Sequence, residues 1–172
     1  MAAMTRRQAR EAVFELLFET EFDGDRTPEK VLALAKEDRD LSEDTYVEST
    51  YLGAMAHRAV LDVLLSKFSH GWKTDRMSRV SRAVLRLGTY EMLYCKDIPT
   101  SVSLNEAVEL TKKFDDPKAR AFVNGVLNSI KNEIEATGAT SVIANCEAAL
   151  AEAQVAPEAL AEPEAEPTQE ND

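Results

Sequence analysis

Apolar residues recur at spacings of three and four through most of residues 5–136, and no stretch alternates apolar with polar at period two. Such spacing lays one apolar stripe along a helix and gives a strand no buried face. It predicts an all-α chain without a sheet. The first segment, 5–22, places Ala9, Ala12, Val13, Leu16 and Leu17 on one side. A short helix is expected over 28–37, where Thr27 offers a cap and Pro28 a pre-set first turn. The pattern then predicts one long helix over 45–69, capped by Ser42 or Asp44, and a fourth over 78–95. A capping-box pair, Ser103 and Glu106, is expected to open a fifth helix running to Phe114. The sixth covers 117–136, with Asp116 as cap, Pro117 in the first turn and Gly138 as the stop.

Composition changes at that stop. Residues 138–172 hold no Lys or Arg, eight acids, and Pro157, Pro163 and Pro167. Their apolar bulk is too small to offset the entropy of ordering the chain. The sequence therefore divides into a helical body, 1–137, and a disordered Ala/Glu/Pro-rich acidic tail, 138–172, with at most a transient helix near 142–154. That tail dominates the charge: the net −11 falls to −3 once its eight acids are set aside. The body is uneven too. Lys67 to Arg86 carries six basic residues against Asp75 alone, and Glu21 to Glu48 carries ten acids against four bases. Basic patches on a near-neutral body still attract a polyanion.

Several classes of function are expected to be absent. No run reaches the ~18 apolar residues of a membrane span, and no secretory pattern opens the chain, so a cytoplasmic protein is expected. Cys95 and Cys146 stand far apart without partner spacing, which predicts no disulfide, metal site or cofactor. His57 and His70 have no nucleophile or ligand partner at a telling spacing. Asp115 and Asp116 read as a cap and a turn. No glycine-rich phosphate loop is present, and no enzyme is expected.

Three places point to binding instead. "TRRQAR" puts Arg6, Arg7 and Arg10 where the helix dipole disfavours cations. Either they sit on a solvated surface at little cost, or an anion arrives to offset them. Phe14 and Phe18 lie nearby, and single-stranded RNA is held by charge plus stacking. The second place is "DDPKARAFVNGVLNSIKNEI". Lys112, Lys113, Lys118 and Arg120 crowd the turn before it, and Phe122 lies off its apolar stripe. Gly125 inside this helix costs about 1 kcal/mol relative to Ala and calls for a reason, such as a closely packed neighbouring helix. The third is Glu91, a carboxylate on an apolar stripe, which needs a partner inside the chain or across an interface.

Four stretches, in order and spacing, resemble the NusB family of bacterial transcription antitermination factors: "RRQAREAVFELLF", "RAVLRLGTYEML", "IPTSVSLNEAVELTKKF" and "RAFVNGVLNSI". The resemblance spans roughly 5–136 and implies two small helical bundles packed together. It also implies a function: with NusE, a small-subunit ribosomal protein, the chain would bind the single-stranded boxA element of ribosomal RNA leaders. The complex helps RNA polymerase read through terminators. Carried over residue by residue, RNA contact falls on Arg6, Arg7, Arg10 and Phe122, with Lys118 and Arg120 beside them. Phe18 and Glu91 are the candidates for the NusE face. Gln8 stands where the family has a further basic residue. The resemblance implies no cofactor and no membrane, and it admits a homodimer. A similar helical domain also fronts ribosomal RNA cytosine methyltransferases, which need a following α/β domain with a glycine motif that these residues lack. A helical protein–protein adaptor without RNA contact is the competing reading.

Overall fold

The computed structural model describes residues 4–39, 41, 45–69 and 77–155. Eight helices occur among them: α1 (Arg6–Thr20), α2 (Pro28–Asp38), α3 (Thr45–Ala56), α4 (Arg58–Phe68), α5 (Arg79–Tyr94), α6 (Thr100–Phe114), α7 (Pro117–Thr137) and α8 (Ala139–Val155). No strand is present among the described residues. α1, α2 and α3 pack on one another, α5, α6 and α7 form a second group, and α5 touches both. The two bundles share a continuous core in which Leu16, Leu61, Leu65, Leu85, Leu127 and Ile130 are fully closed to solvent. Each such side chain contributes about 1.5–3 kcal/mol by burial.

The local signals mostly act as the sequence predicts. Thr27 Oγ1 accepts from the Lys30 backbone N–H, and Asp116 Oδ1 accepts from that of Lys118. Both caps precede a proline, whose missing N–H falls where a helix leaves it unused. Three expectations are corrected by packing.

The long helix expected over 45–69 is two, α3 and α4, with a break at His57 (φ −103°, ψ 14°). The backbone ladder persists through it, from His57 N–H to Gly53 O and from Leu61 N–H to His57 O. The bend follows the tyrosines of α5. A Cβ on Gly53 would lie 2.0 Å from the Tyr90 hydroxyl, and the His57 ring stacks on Tyr94 at 4.4 Å.

Ser103 is not a cap. α6 begins at Thr100 behind Pro99, and Ser103 is buried inside it.

The third correction concerns the tail. Gly138, at φ +86°, turns the chain out of α7, and α8 follows as a helix against α4, α5 and α7. Val142 and Cys146 are buried, with Ala139, Ile143 and Leu150 packed partly beneath. The body therefore extends to Val155. Composition understated this segment because its few apolar residues line up on one side, and the surface that receives them comes from three distant helices. Residues 156–172 lie outside the described residues, as do Ser42, Asp44, His70, Lys73 and Arg76.

Part of the basic run is internal. Arg86 donates to Asp62 through Nε and Nη2, each at 2.9 Å, and pairs with Glu21 as well. Arg82 reaches Glu21 Oε2 at 2.9 Å. These arginines tie α5 to α4 and to the end of α1.

Candidate nucleic-acid interface

The first turn of α1 sorts its three arginines by angle. Thr5 and Gln8 close a capping box: Gln8 N–H donates to Thr5 Oγ1 at 3.1 Å, and Thr5 N–H donates to Gln8 Oε1 at 2.9 Å. Gln8 thus serves the helix start. No acid sits in this turn. At about 100° per residue, Arg6 and Arg7 fall outside while Arg10 falls beside Ala9 and Val13, on the buried face.

Arg10 is 5% exposed and Glu91 1%. Arg10 Nε lies 2.9 Å from Glu91 Oε2, and Nη2 lies 3.0 Å from Oε1, which makes the pair bidentate. Glu91 also accepts from the Tyr46 hydroxyl at 3.0 Å and the Ser103 hydroxyl at 3.3 Å. One carboxylate thereby joins α1, α3, α5 and α6. Burial works against the charge of Arg10, yet the hydrogen bond and charge of Glu91 hold its pKa above the ordinary value. Burial, then the charge of Glu91, drives the Tyr46 phenol well above its usual range. Burial and Glu91 also push the Cys95 thiol up to about 11, so it stays protonated and unreactive at neutral pH.

Two expected site residues are corrected here. Arg10 was expected on RNA and Glu91 on a partner protein; they face each other in the interior. Glu91 finds its partner within the chain. Tyr46 and Ser103, which complete the cluster, carry no sequence signal for this role, because their partner lies 45 and 12 residues away.

Arg6 and Arg7 remain outside. Arg6 Cζ stands 4.3 Å over the Tyr46 ring. Arg7 donates to Glu106 through Nε and Nη2 at 3.2 and 3.0 Å, and remains largely solvent-exposed. α6 runs alongside α1: Lys113 pairs with Glu11 at 2.7 Å, and Phe114 stacks on Phe14 at 4.8 Å. Beyond Phe114 the chain turns at Asp115 and Asp116 into α7, where Lys118 and Arg120 are exposed. Glu106 and Phe114 are eight residues apart on α6, or about 12 Å of helix. Arg7 therefore stands near the middle of α6, Lys112 and Lys113 lie near its end, and Lys118 and Arg120 follow in the first turn of α7, while Arg6 lies over Tyr46 of α3.

Phe122 is half-buried and forms a wall of two grooves, one shared with Phe68 and Gly125 and the other with Met77, Ala119 and Lys118. Gly125 is exposed, and a Cβ there would meet nothing within 4 Å. The closely packed helix expected at Gly125 is absent among the described residues. Phe18 is half-buried between Phe14 and Phe22, at ring distances of 6.1 and 5.1 Å. Phe22 is 59% exposed, with Arg79 Cζ 4.3 Å above its ring. The sequence reading did not single out Phe22; its i+4 spacing from Phe18 was the available signal. Among the described residues no group of His, Cys, Asp or Glu is arranged to hold a metal, and no helix is long and apolar enough to cross a membrane.

The model of the NusB family matches residues 7–132. The chain belongs to the NusB family. The transcription antitermination protein NusB of Bacillus subtilis is 43% identical over 132 residues, covering 77% of this chain and 98% of that protein. NusB of Natranaerobius thermophilus is 41% identical over 135 residues, covering 76% and 97%. A solved structure of T. maritima NusB superimposes with a TM-score of 0.69 at 36% identity, over 77% of this chain and 94% of that one. A second, described as antitermination factors NusB and NusE in complex with dsRNA, gives 0.67 at 28% identity, over 76% and 99%. The family match ends within α7, so α8 lies beyond the segment matched to NusB.

Proposed function

We propose that this NusB-family chain is an RNA-binding antitermination factor. With NusE it holds the single-stranded boxA element of ribosomal RNA leader transcripts, and it helps RNA polymerase read through terminators as part of the antitermination complex. In this reading it acts in the cytoplasm, by binding alone and without catalysis. The observation that carries the reading is that Arg6, Arg7, Lys118 and Arg120 are exposed while Arg10 is enclosed, with the half-buried Phe122 sharing a groove with Lys118. A relative solved with NusE and RNA supports the choice of partners.

The division of work is physical. Arg6 and Arg7 meet phosphates, which offsets the unfavourable dipole at the start of α1. Lys118 and Arg120 meet phosphates further along the strand, and Phe122 offers a face to a base. Arg10 and Glu91 act indirectly, by fixing α1 against α5 so that Arg6 and Arg7 project outward. Phe18 and the exposed Phe22 form the apolar patch for NusE, and Glu91, buried against Arg10, takes no part in it.

Fluorescence anisotropy of a labelled boxA-like RNA, with and without NusE across a salt series, tests this. Four neutralised phosphates give a slope of log affinity against log salt of about −3, using the single-strand coefficient. Tighter binding with NusE is expected. A flat salt response would remove the cations from the mechanism. The competing adaptor reading draws on Arg7 being paired with Glu106 and Arg6 lying on Tyr46; NusE binding without RNA binding would favour it. A homodimer using the same face would show as a doubled mass that RNA converts to the single-chain complex.

A further inference from the structure

The exposed cations assigned to RNA, and those beside them, fall into two sets. Arg6, Lys118 and Arg120 make no ion pair among the described residues. Arg7, Lys112 and Lys113 are each held by a glutamate. Arg7 donates from Nε and Nη2 to the two oxygens of Glu106 at 3.2 and 3.0 Å. Lys113 Nζ donates to both oxygens of Glu11 at 2.7 and 2.9 Å. Lys112 Nζ reaches Glu109 at 3.1 Å on its own helix. All six side chains line one open cleft of about 290 Å³ between α1 and α6. Two of the pairs cross it in opposite senses, arginine of α1 to glutamate of α6 and lysine of α6 to glutamate of α1. The members differ in exposure. Arg7 and Lys113 are 69% and 58% exposed, and Glu106 and Glu11 only 18% and 27%. The cations are therefore free to swing outward, while the glutamates stay on the wall.

We propose that Glu106 and Glu11 set the strength of RNA binding: they hold Arg7 and Lys113 in the free protein, and a phosphate engages these cations only by displacing them. This rests on the RNA-binding reading above and adds the residues that oppose it. A guanidinium takes a carboxylate and a phosphate through the same forked pair of N–H donors. Glu106 thus occupies the side-on edge of Arg7 that a phosphate would otherwise take. Each exchange gives up one charged contact to make another, and it leaves a bare carboxylate facing the strand. Arg6, Lys118 and Arg120 have no carboxylate to leave and meet phosphates without that opposition. Exposed ion pairs are weak, so each glutamate lowers affinity by only about two- to fivefold. Screening makes the effect largest at low salt. Glutamates that merely oriented the cations for the strand would act with the opposite sign.

The test uses the full chain with NusE and a labelled boxA-like RNA. Glu106→Gln keeps the length of the side chain and an oxygen for Arg7 while removing the charge. It is expected to tighten binding about two- to fivefold at low salt, with the gain shrinking as salt rises. Glu11→Gln is expected to do the same through Lys113, and far-UV circular dichroism checks that the variants stay folded. The deciding comparison places Glu106→Gln in an Arg7→Ala background, where no held cation remains to be released. There it is expected to change affinity by less than about twofold. Equal tightening in both backgrounds would mean plain repulsion of the strand and overturns the exchange. Unchanged or weaker binding in Glu106→Gln overturns it too, and leaves the RNA-binding reading intact. Absence of RNA binding by the unaltered chain removes both.

Discussion

Arg7 and Arg10 stand one turn apart on α1, and each meets a glutamate through a bidentate pair. Arg7 and Glu106 do so at the surface, where water screens the charges and the long side chains keep other conformations within reach. Arg10 and Glu91 do so in the interior, where neither charge has another way to be solvated. The same two residue types, three positions apart, thus give one arginine available to an anion and one that fixes the helix. What separates them is their angle around α1. Charge alone assigns both arginines to the same task, while the helical period sets Arg10 beside Ala9 and Val13 on the buried stripe.

The largest expected effect breaks the buried member. Arg10→Ala leaves Glu91 charged and poorly compensated, and thermal or denaturant unfolding is expected to show a loss of about 3–5 kcal/mol. A loss no larger than that of Arg7→Ala would erase the distinction between the two pairs.

Next comes Tyr46→Phe, which removes a hydrogen bond to a charged acceptor and is expected to cost about 1.5–3 kcal/mol. Tyr46 also sets a pH dependence. Its folded pKa is raised above the unfolded value of about 10, by burial first and then by Glu91. Its neutral form is the one the fold favours. The resulting stability is fully present below the unfolded pKa and is lost as pH rises above about 10. Unfolding measured from pH 8 upward is expected to show a shallower alkaline decline in the phenylalanine variant.

The surface member is sharpened by replacing Arg6 and Arg7 together with alanine. Unfolding is expected to change little, while the salt slope of RNA binding falls by about 1.4, two single-strand phosphate contacts. An unchanged slope would return these arginines to the solvated-surface reading. The smallest expected effect is at Gly125, an exposed helical glycine with open space around it. Gly125→Ala is expected to gain about 1 kcal/mol of stability. Weaker RNA binding in the same variant would mean that the glycine serves close approach of the strand.

Much of the fold was legible in the chain itself. Thr27, Pro28, Asp116, Pro117 and Gly138 punctuate helices where they were expected, because caps and φ restrictions act within a few residues. Three misreadings share a cause. Ser103 sits in a good cap pattern, but its hydroxyl is taken by a carboxylate on another helix. The helix expected over 45–69 has no local breaker at His57; the bend answers to tyrosines of α5. α8 looks like a solvated tail by composition, and becomes part of the core because α4, α5 and α7 offer it an apolar seat. Of the residues expected at RNA, Arg6, Arg7, Lys118 and Arg120 are exposed, Phe122 is half-buried and Arg10 is enclosed.

The sequence by itself determined an all-α chain, the places where most helices start and stop, and a family likeness carried by four motifs. Periodicity, capping and proline geometry are local, so neighbouring residues suffice to express them. Tertiary structure alone decided that Arg10 and Glu91 pair with each other, that Tyr46 and Ser103 join them, and where the body ends. Those outcomes depend on contacts such as Arg10 with Glu91, 81 residues apart, whose energy depends on removal from water. No local pattern encodes that removal; it arises only when the helices close on one another.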